Sequence, residues 1–183
     1  DLLNCLSVDT MQVEEKKLVN RVANSGLITI KLEEFFPKEE IVFFDIKEYL
    51  FMELILKEKE FRIAMKEHDW TQYQDKHLLI ICSADAIIPV WAYMLISSYA
   101  EKNATSIFQG TKEEFLKAYY ELKINQLDSI QYEGKRLIIK GCSDQPVPAS
   151  AYVALTQKLR PIAKSIMYGE ACSTVPIYKQ PRK

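Results

Sequence analysis

The fold is decided by residues 69–110, DWTQYQDKHLLIICSADAIIPVWAYMLISSYAEKNATSIFQG, because residues 128–169, DSIQYEGKRLIIKGCSDQPVPASAYVALTQKLRPIAKSIMYG, repeat them without a gap. The offset is 59 residues, and 14 of the 42 aligned positions are identical. An ungapped match of this density indicates that one structural unit has been duplicated. Two such units related by a pseudo-twofold axis bring equivalent loops together, so the repeat also indicates where a site would lie.

Each copy has the pattern of a strand, a helix and a second strand. The predicted strands are 77–82, 105–109, 136–141 and 163–168, and the predicted helices are 88–100, 112–124 and 147–159. Strands that alternate with helices imply right-handed crossovers and a parallel sheet. We therefore predict an α/β fold with one doubly wound sheet of order 2-1-3-4, in which ligands bind where the strand order reverses.

Outside the two copies, the sequence predicts an N-terminal strand-rich extension and short terminal segments. The predicted divisions are 1–12 (a disordered leader or cloning remnant), 13–68 (the extension), 69–110 (first copy), 111–127 (linking helix), 128–169 (second copy) and 170–183 (C-terminal segment). The elements predicted in the extension are helix 14–24, strands 27–32 and 41–46, a third strand at 50–56 and helix 57–67. No Gly/Ser-rich linker separates this extension from the first copy, which favours packing on one core.

Composition narrows the class of protein. The chain has 183 residues, 48% of them apolar, and a net charge of −1. This charge gives no overall field for nucleic acid or an anionic membrane, and no apolar run approaches the length of a membrane span. Four irregularly spaced cysteines do not form a disulfide framework, which favours a reducing, cytoplasmic location. A homo-oligomer is left open.

Three cysteines follow strands at the carboxyl edge of the predicted sheet. Cys82 ends one strand, Cys142 lies just beyond the equivalent strand, and Cys172 follows the last strand. Converging thiolates suit Zn²⁺ or an iron–sulfur cluster, with Asp85, Asp144, Glu170, water or substrate as the fourth ligand. Two alternatives stay open, a reactive thiol and a purely packing role, since free cysteine is also a small apolar residue.

The reactive-thiol alternative assigns one nucleophile, Cys82 or Cys142, and an acid–base partner, Asp85 or Asp144. Each cysteine precedes a helix, whose dipole favours a thiolate. The aspartates are alternatively helix caps, but proline four residues later places the cap nearer Ala86 or Gln145 and leaves each carboxylate in the loop.

The remaining side chains are weaker candidates. His77 opens the strand that Cys82 ends, and His68 precedes it. Both therefore lie at the opposite end from Cys82, and neither is expected to act as its base or as a metal ligand. The equivalent Tyr93 and Tyr152, and Trp91, are expected to pack in the core. The sequence contains no phosphate-binding loop, no dinucleotide fingerprint and no nucleophile elbow, so nucleotide binding is disfavoured.

Several motifs give the chain a family resemblance. They are ANSGLITI (23–30), HDW (68–70), CSADAIIPVWAYM (82–94), PVPASAY (146–152) and KSIMYGEACSTVPIYK (164–179). In these the chain resembles the bacterial domain-of-unknown-function family 2480 over nearly all of residues 19–179. The resemblance implies no established activity. It implies an association with iron–sulfur assembly proteins, because such genes lie near one another, and this agrees with a cysteine-edged crevice that binds metal, a cluster or sulfur.

Overall fold

The computed structural model describes residues 26–140, 144–170 and 173–181 of the chain. The predicted leader 1–12 and the predicted helix 14–24 lie outside these residues.

The described elements alternate between strands and helices, as the sequence predicts. The strands are β1 (Leu27–Ile30), β2 (Ile41–Asp45), β3 (His77–Ile81), β4 (Ser106–Gln109), β5 (Arg136–Ile139), β6 (Ser165–Glu170) and β7 (Ser173–Lys179). The α-helices are α1 (Glu58–Glu67), α2 (Val90–Ala100), α3 (Lys112–Gln126) and α4 (Ala149–Leu159). Short 3-10 helices are Leu32–Phe35, Ile46–Tyr49, Trp70–Tyr73 and Ile130–Tyr132. The chain therefore has a mixed α/β fold.

The described strands form two sheets, so the predicted single sheet of order 2-1-3-4 is wrong. One sheet has the order β2-β3-β4, and all its strands are parallel. The other has the order β1-β5-β6-β7, in which only β7 runs antiparallel to its neighbour. The pairings within each copy, β3 with β4 and β5 with β6, are the ones expected. The predicted contact between β3 and β5 is absent from both sheets.

The strand order differs because strands of the N-terminal segment pair with the edges of β3 and β5 that were expected to pair with each other. β2 pairs with β3 along five residues, and β1 pairs with β5 along four. A strand that already has neighbours on both sides cannot accept another. The segment predicted to be an extension thus contributes one strand to each sheet.

One more predicted strand is wrong, and the C-terminal segment contains a strand that was not predicted. Residues 50–56 are not a strand: Phe51 and Ile55 bridge across a tight turn in which Met52 and Glu53 have positive φ. In the C-terminal segment, β7 adds an edge strand to the second sheet.

Residues 59 apart occupy equivalent places in the two units. Asp69 accepts from the Thr71 N–H at the start of one 3-10 helix, and Asp128 accepts from the Ile130 N–H at the start of the other. The same offset relates α1 to the second half of α3, and it pairs core side chains of equal burial. These pairs are Phe61/Tyr120, Met65/Ile124, Tyr73/Tyr132, Leu78/Leu137, Ile80/Ile139, Ala92/Ala151 and Ile96/Leu155.

The sheet registers extend the correspondence to β1 and β2. Ile41 pairs with His77, and Leu27 pairs with Arg136, the residue 59 positions after His77. Residues of β2 and its following 3-10 helix therefore correspond to residues 14 positions earlier in β1 and its 3-10 helix. Buried Ile46 and buried Leu32 are one such pair.

Helix α3 joins the two cores. It begins with a capping box, in which the Thr111 hydroxyl accepts from the Glu114 N–H and the Glu114 carboxylate accepts from the Thr111 N–H. Its first turns place Phe115 on Leu79 of the first sheet. Its last turns place Tyr120 in the core of the second sheet. Among the described helices, none combines the length and apolar character needed to cross a membrane.

Candidate functional site

Cys82 lies where it was predicted, directly after β3. Its half-buried thiol donates to the Ala84 carbonyl at 3.5 Å, and it packs on the core of the first sheet. Burial, and then the neighbouring Cys82, raises the pKa of the Tyr93 hydroxyl. Cys82 and Tyr93 both pack on the core of the first sheet.

The other cysteines of the predicted site, Cys142 and Cys172, lie outside the described residues. β3 and β5 belong to different sheets, so the prediction that the loops after them adjoin along one sheet edge is wrong. Within the described residues, no group of three or more His, Cys, Asp or Glu side chains is arranged to hold a metal ion. The shared metal or cluster site stays a prediction.

The predicted carboxylates Asp85, Asp144 and Glu170 are all exposed. Neither aspartate caps a helix: Pro89 is the N-cap of α2 and Pro148 that of α4, and neither helix has a side-chain cap. The helices start later than predicted because proline fixes φ near the value of the first turn and lacks an N–H. Asp85 and Asp144 thus remain in the loops before α2 and α4.

The described residues bring together a different set of reactive groups, Ser106, His77 and Glu39. His77 opens β3 and Ser106 opens β4, and the register of these parallel strands places them side by side. Ser106 Oγ lies 2.7 Å from His77 Nδ1, and Glu39 Oε2 lies 3.3 Å from His77 Nε2. Together they form a continuous chain from hydroxyl to imidazole to carboxylate.

The segment before β2 fixes the carboxylate beside the imidazole. The His77 N–H donates to the Glu40 carbonyl at 2.8 Å, and Lys76 Nζ lies 3.0 Å from Glu40 Oε2. These contacts hold residues 39 and 40 against the start of β3. A hydrogen bond from its own backbone N–H has the largest effect and lowers the pKa of Glu39. Burial opposes it, and the contact with His77 lowers the pKa further.

The ionised carboxylate determines which atoms donate and which accept in the hydrogen bonds from Ser106 through His77 to Glu39. An ionised carboxylate only accepts, so a neutral His77 carries its proton on Nε2 and donates it to Glu39. The lone pair on Nδ1 is then left to accept the Ser106 proton. This is the arrangement in which an imidazole activates a serine hydroxyl as a nucleophile.

His77 is almost fully buried, with 3% of its surface exposed, and it is the one buried polar or charged residue in the described part of the chain. Its ring packs on Phe115 and Tyr119 of α3 at centroid distances of 5.1 and 5.5 Å. A titratable ring placed among apolar side chains has a cost in free energy, so it marks a candidate site.

The three groups line one open cleft of about 370 Å³ between the first sheet and α3. This volume is within the range of small-molecule sites. The cleft has a largely apolar wall and a polar rim. Its other lining residues are Thr105, Ile107, Phe108, Phe115, Ala118, Tyr119, Leu122, Lys123 and Gln126.

Sequence reasoning missed this site. His77 was considered only as a base for Cys82 or as a metal ligand, and it was correctly placed at the opposite end of β3. The available signal was the repeat itself: Ser106 and Ser165 are equivalent, but His77 corresponds to Arg136. The first copy alone has an imidazole beside its serine.

Comparison with known proteins gives one match. A family model described as "Protein of unknown function (DUF2480)" matches residues 16–180, nearly the whole chain. No curated protein and no solved structure is significantly similar to the chain.

Proposed function

Since the chain belongs to the DUF2480 family, whose description names no activity, we propose a function from the site geometry: a hydrolase that uses Ser106 as its nucleophile. The observation that carries the proposal is the hydrogen-bonded chain from Ser106 through buried His77 to Glu39 inside a cleft. Serine nucleophiles of this kind act on acyl compounds, so the substrate class is a carboxylic ester or a thioester.

The proposed reaction has two steps. Ser106 Oγ attacks the acyl carbon, its proton passes to His77 Nδ1, and the leaving alcohol or thiol takes that proton as its bond to the acyl group breaks. Water then attacks the acyl-serine, gives a proton to Nδ1, and releases a carboxylic acid while Ser106 recovers its proton. Glu39 stabilises the imidazolium that forms in each step.

The cleft favours an apolar acyl group. Phe108, Phe115 and Leu122 supply apolar surface beside Ser106. Burying an acyl chain against this surface contributes about 25 cal/mol for each Å² removed from water. Butyryl and hexanoyl esters are therefore expected to react faster than acetyl esters.

A fluorophosphonate probe tests the nucleophile directly, because it forms a stable adduct with activated serines. We expect mass spectrometry to place the adduct on Ser106 and p-nitrophenyl butyrate to be hydrolysed. Ser106→Ala should abolish labelling and lower kcat/KM by about 10³-fold or more. Glu39→Gln should also lower kcat, since a neutral amide no longer fixes the imidazole tautomer.

The chain provides a matched control in Ser165→Ala. Ser165 opens β6 beside Arg136, as Ser106 opens β4 beside His77. This variant should keep full labelling and turnover. Folded protein that is not labelled, or that is labelled equally in the Ser106→Ala variant, would refute the proposal.

A second candidate function stays with the cysteines, as an accessory protein that binds metal, a cluster or sulfur at Cys82, Cys142 and Cys172. The free, half-buried thiol of Cys82 directly after β3 supports a binding or reactive role for that residue. Metal analysis of untagged protein tests the binding role. Thiol labelling at neutral pH tests the alternatives, a cysteine nucleophile with Asp85 or Asp144 and an interaction module with structural cysteines.

The cytoplasmic location, the association with iron–sulfur assembly proteins and a homo-oligomeric state are predictions that go with this second candidate.

A further inference from the structure

A second cleft, the α3–α4 groove, has a volume of about 350 Å³ and lies between two neighbouring helices of the second unit. Most of its lining comes from α4, and α3 adds two charged residues. None of its lining residues belongs to the Ser106 cleft. The lining residues are Lys117, Glu121, Ser150, Ala151, Val153, Ala154 and Gln157.

The spacing of these residues places them along one side of each helix. Ser150, Ala154 and Gln157 recur at intervals of four and three residues, which is the spacing of one helix face. Ala151 turns from this face toward the core and is buried, whereas Val153 is 58% exposed. The groove is therefore open to solvent and has a bottom of small side chains.

The first unit shows what fills this place when the side chains are larger. At the 59-residue offset, the groove residues correspond to Glu58, Arg62, Trp91, Ala92, Met94, Leu95 and Ser98. The Trp91 ring packs edge-on against Phe61 of α1 at a centroid distance of 5.9 Å. The Arg62 guanidinium lies 5.5 Å from the centre of the Trp91 ring and is paired with Glu58 at 2.9 Å. An indole of the chain itself thus lies between α1 and α2.

The second unit lacks this indole. Ser150 replaces Trp91, Ala154 replaces Leu95, and Val153 replaces Met94. Gln157, which replaces Ser98, is the only α4 lining residue that is larger than its counterpart. Truncated side chains leave space because the surrounding structure relaxes only partially. The α3–α4 groove is therefore the space that Trp91 fills in the first unit.

The charged side chains of the groove lie at its rim. Lys117 Nζ is paired with Glu113 at 2.8 Å, and both of these side chains are more than half exposed. Glu121, which replaces Arg62, is also exposed. A neutral ring in the groove would leave these charges in contact with water, so its binding carries no cost of burying a charge.

We propose that the α3–α4 groove binds a neutral planar aromatic molecule of the size of indole. The ring lies on Ala151, Val153 and Ala154, in the place that Trp91 takes in the first unit. An apolar space left by a truncated side chain is known to accept an aromatic molecule, and the volume of the groove is within the range of ligand sites. The proposal does not depend on the hydrolase function, because the two clefts share no lining residue.

Titration with indole, followed by NMR of methyl groups, tests the inference. We expect saturable shifts with a Kd of about 1 mM or lower, largest at Ala151, Val153 and Ala154. Val175 and Ile177 of β7 are internal references, because both are apolar and more than half exposed. Shifts of equal size at these two residues would show general adsorption to apolar surface and would overturn the proposal.

Two variants of one residue locate the ligand. Ser150→Trp restores the residue of the first unit, fills the groove and should weaken indole binding about tenfold or more. Ser150→Ala is the matched control, which leaves the groove open and should bind indole as the parent protein does. Ser150 is exposed in the first turn of α4, and that helix has no side-chain cap, so both variants should fold. Parent affinity in Ser150→Trp would overturn the site.

The reciprocal variant Trp91→Ser opens the equivalent place in the first unit. We expect a second set of saturable indole shifts at Ala92 and Leu95, in addition to those in the α3–α4 groove. A folded Trp91→Ser variant, as judged by circular dichroism, that binds indole only in the α3–α4 groove would contradict the equivalence of the two places. If this variant does not fold, the two Ser150 variants decide the proposal.

Discussion

The hydroxyl of Tyr120 gives the sharpest test of the core. Tyr120 is fully buried, and its hydroxyl has no hydrogen-bond partner among the described residues. Leaving a buried polar group without a partner costs about 1–3 kcal/mol. The equivalent position in the first unit is Phe61, which is buried to the same degree. Tyr120→Phe is therefore expected to stabilise the protein.

Tyr120→Phe removes one oxygen and leaves the ring in place, so the change in the free energy of unfolding can be estimated from the hydroxyl alone. The free energy of unfolding should rise by about 1 kcal/mol, the low end of the cost of an unpaired group. For a chain of this size that corresponds to an increase in Tm of about 2–4 °C. The urea m-value should not change, because the surface exposed on unfolding is nearly the same.

Urea unfolding followed by circular dichroism measures the change, with scanning calorimetry as a second probe. The control is Tyr73→Phe, because the Tyr73 hydroxyl lies 2.9 Å from His68 Nε2. Its removal should destabilise the protein by about 1 kcal/mol. If Tyr120→Phe destabilises the protein as much as Tyr73→Phe does, the Tyr120 hydroxyl is satisfied in solution and the reasoning fails.

Alkaline pH should destabilise the protein between about pH 10 and pH 12, because burial raises the pKa of Tyr73 and Tyr120 to about 12 and the unfolded chain loses these protons first. In this range each tyrosine should lower the free energy of unfolding, measured by urea titration, by about 1.4 kcal/mol per pH unit. An unchanged slope of this free energy against pH in Tyr120→Phe would contradict the prediction. Acid should destabilise the protein through His68, because burial lowers the pKa of this side chain in the folded protein. The stability that the neutral ring contributes is complete above the unfolded pKa of about 6.5 and is lost as pH falls through the folded pKa. His68→Leu should therefore flatten the dependence of the free energy of unfolding on pH in this range. Gly169→Ala should cost more than about 2 kcal/mol in urea unfolding, because φ is +121° and a Cβ would lie 2.5 Å from the Ser173 carbonyl. Gly134→Ala, at φ +65° with open space around it, should cost about 1 kcal/mol, and equal losses would show that the contact at Gly169 relaxes.

Local elements were predictable because they depend on residues close together in the chain. The apolar run that forms β3 and the helical pattern of α2 both appear in the structure, with α2 starting two residues later than predicted. The turn at residues 51–55 was misread as a strand because its side chains are apolar, although Met52 and Leu54 are exposed. Apolar character predicts burial only on average, and the backbone of a tight turn can leave such residues in solvent.

The site formed by Ser106, His77 and Glu39 could not be predicted from any local pattern, for a different reason. His77 and Ser106 are 29 residues apart, and only the register of β3 against β4 places them side by side. Glu39 joins them through the pairing of β2 with β3, which the sequence did not predict. No local pattern marks three residues that meet only after two strand pairings have formed.

The alternation of strands and helices, the 59-residue offset and the parallel pairing inside each copy could be predicted from the sequence. So could the family, which the family model confirms. The tertiary structure alone decided that β1 and β2 separate the two copies into two sheets. The physical reason is that a strand edge offers the same backbone N–H and C=O groups to any partner. Side-chain patterns therefore indicate that a strand exists, whereas its neighbour is selected by competition among distant segments for the same edge.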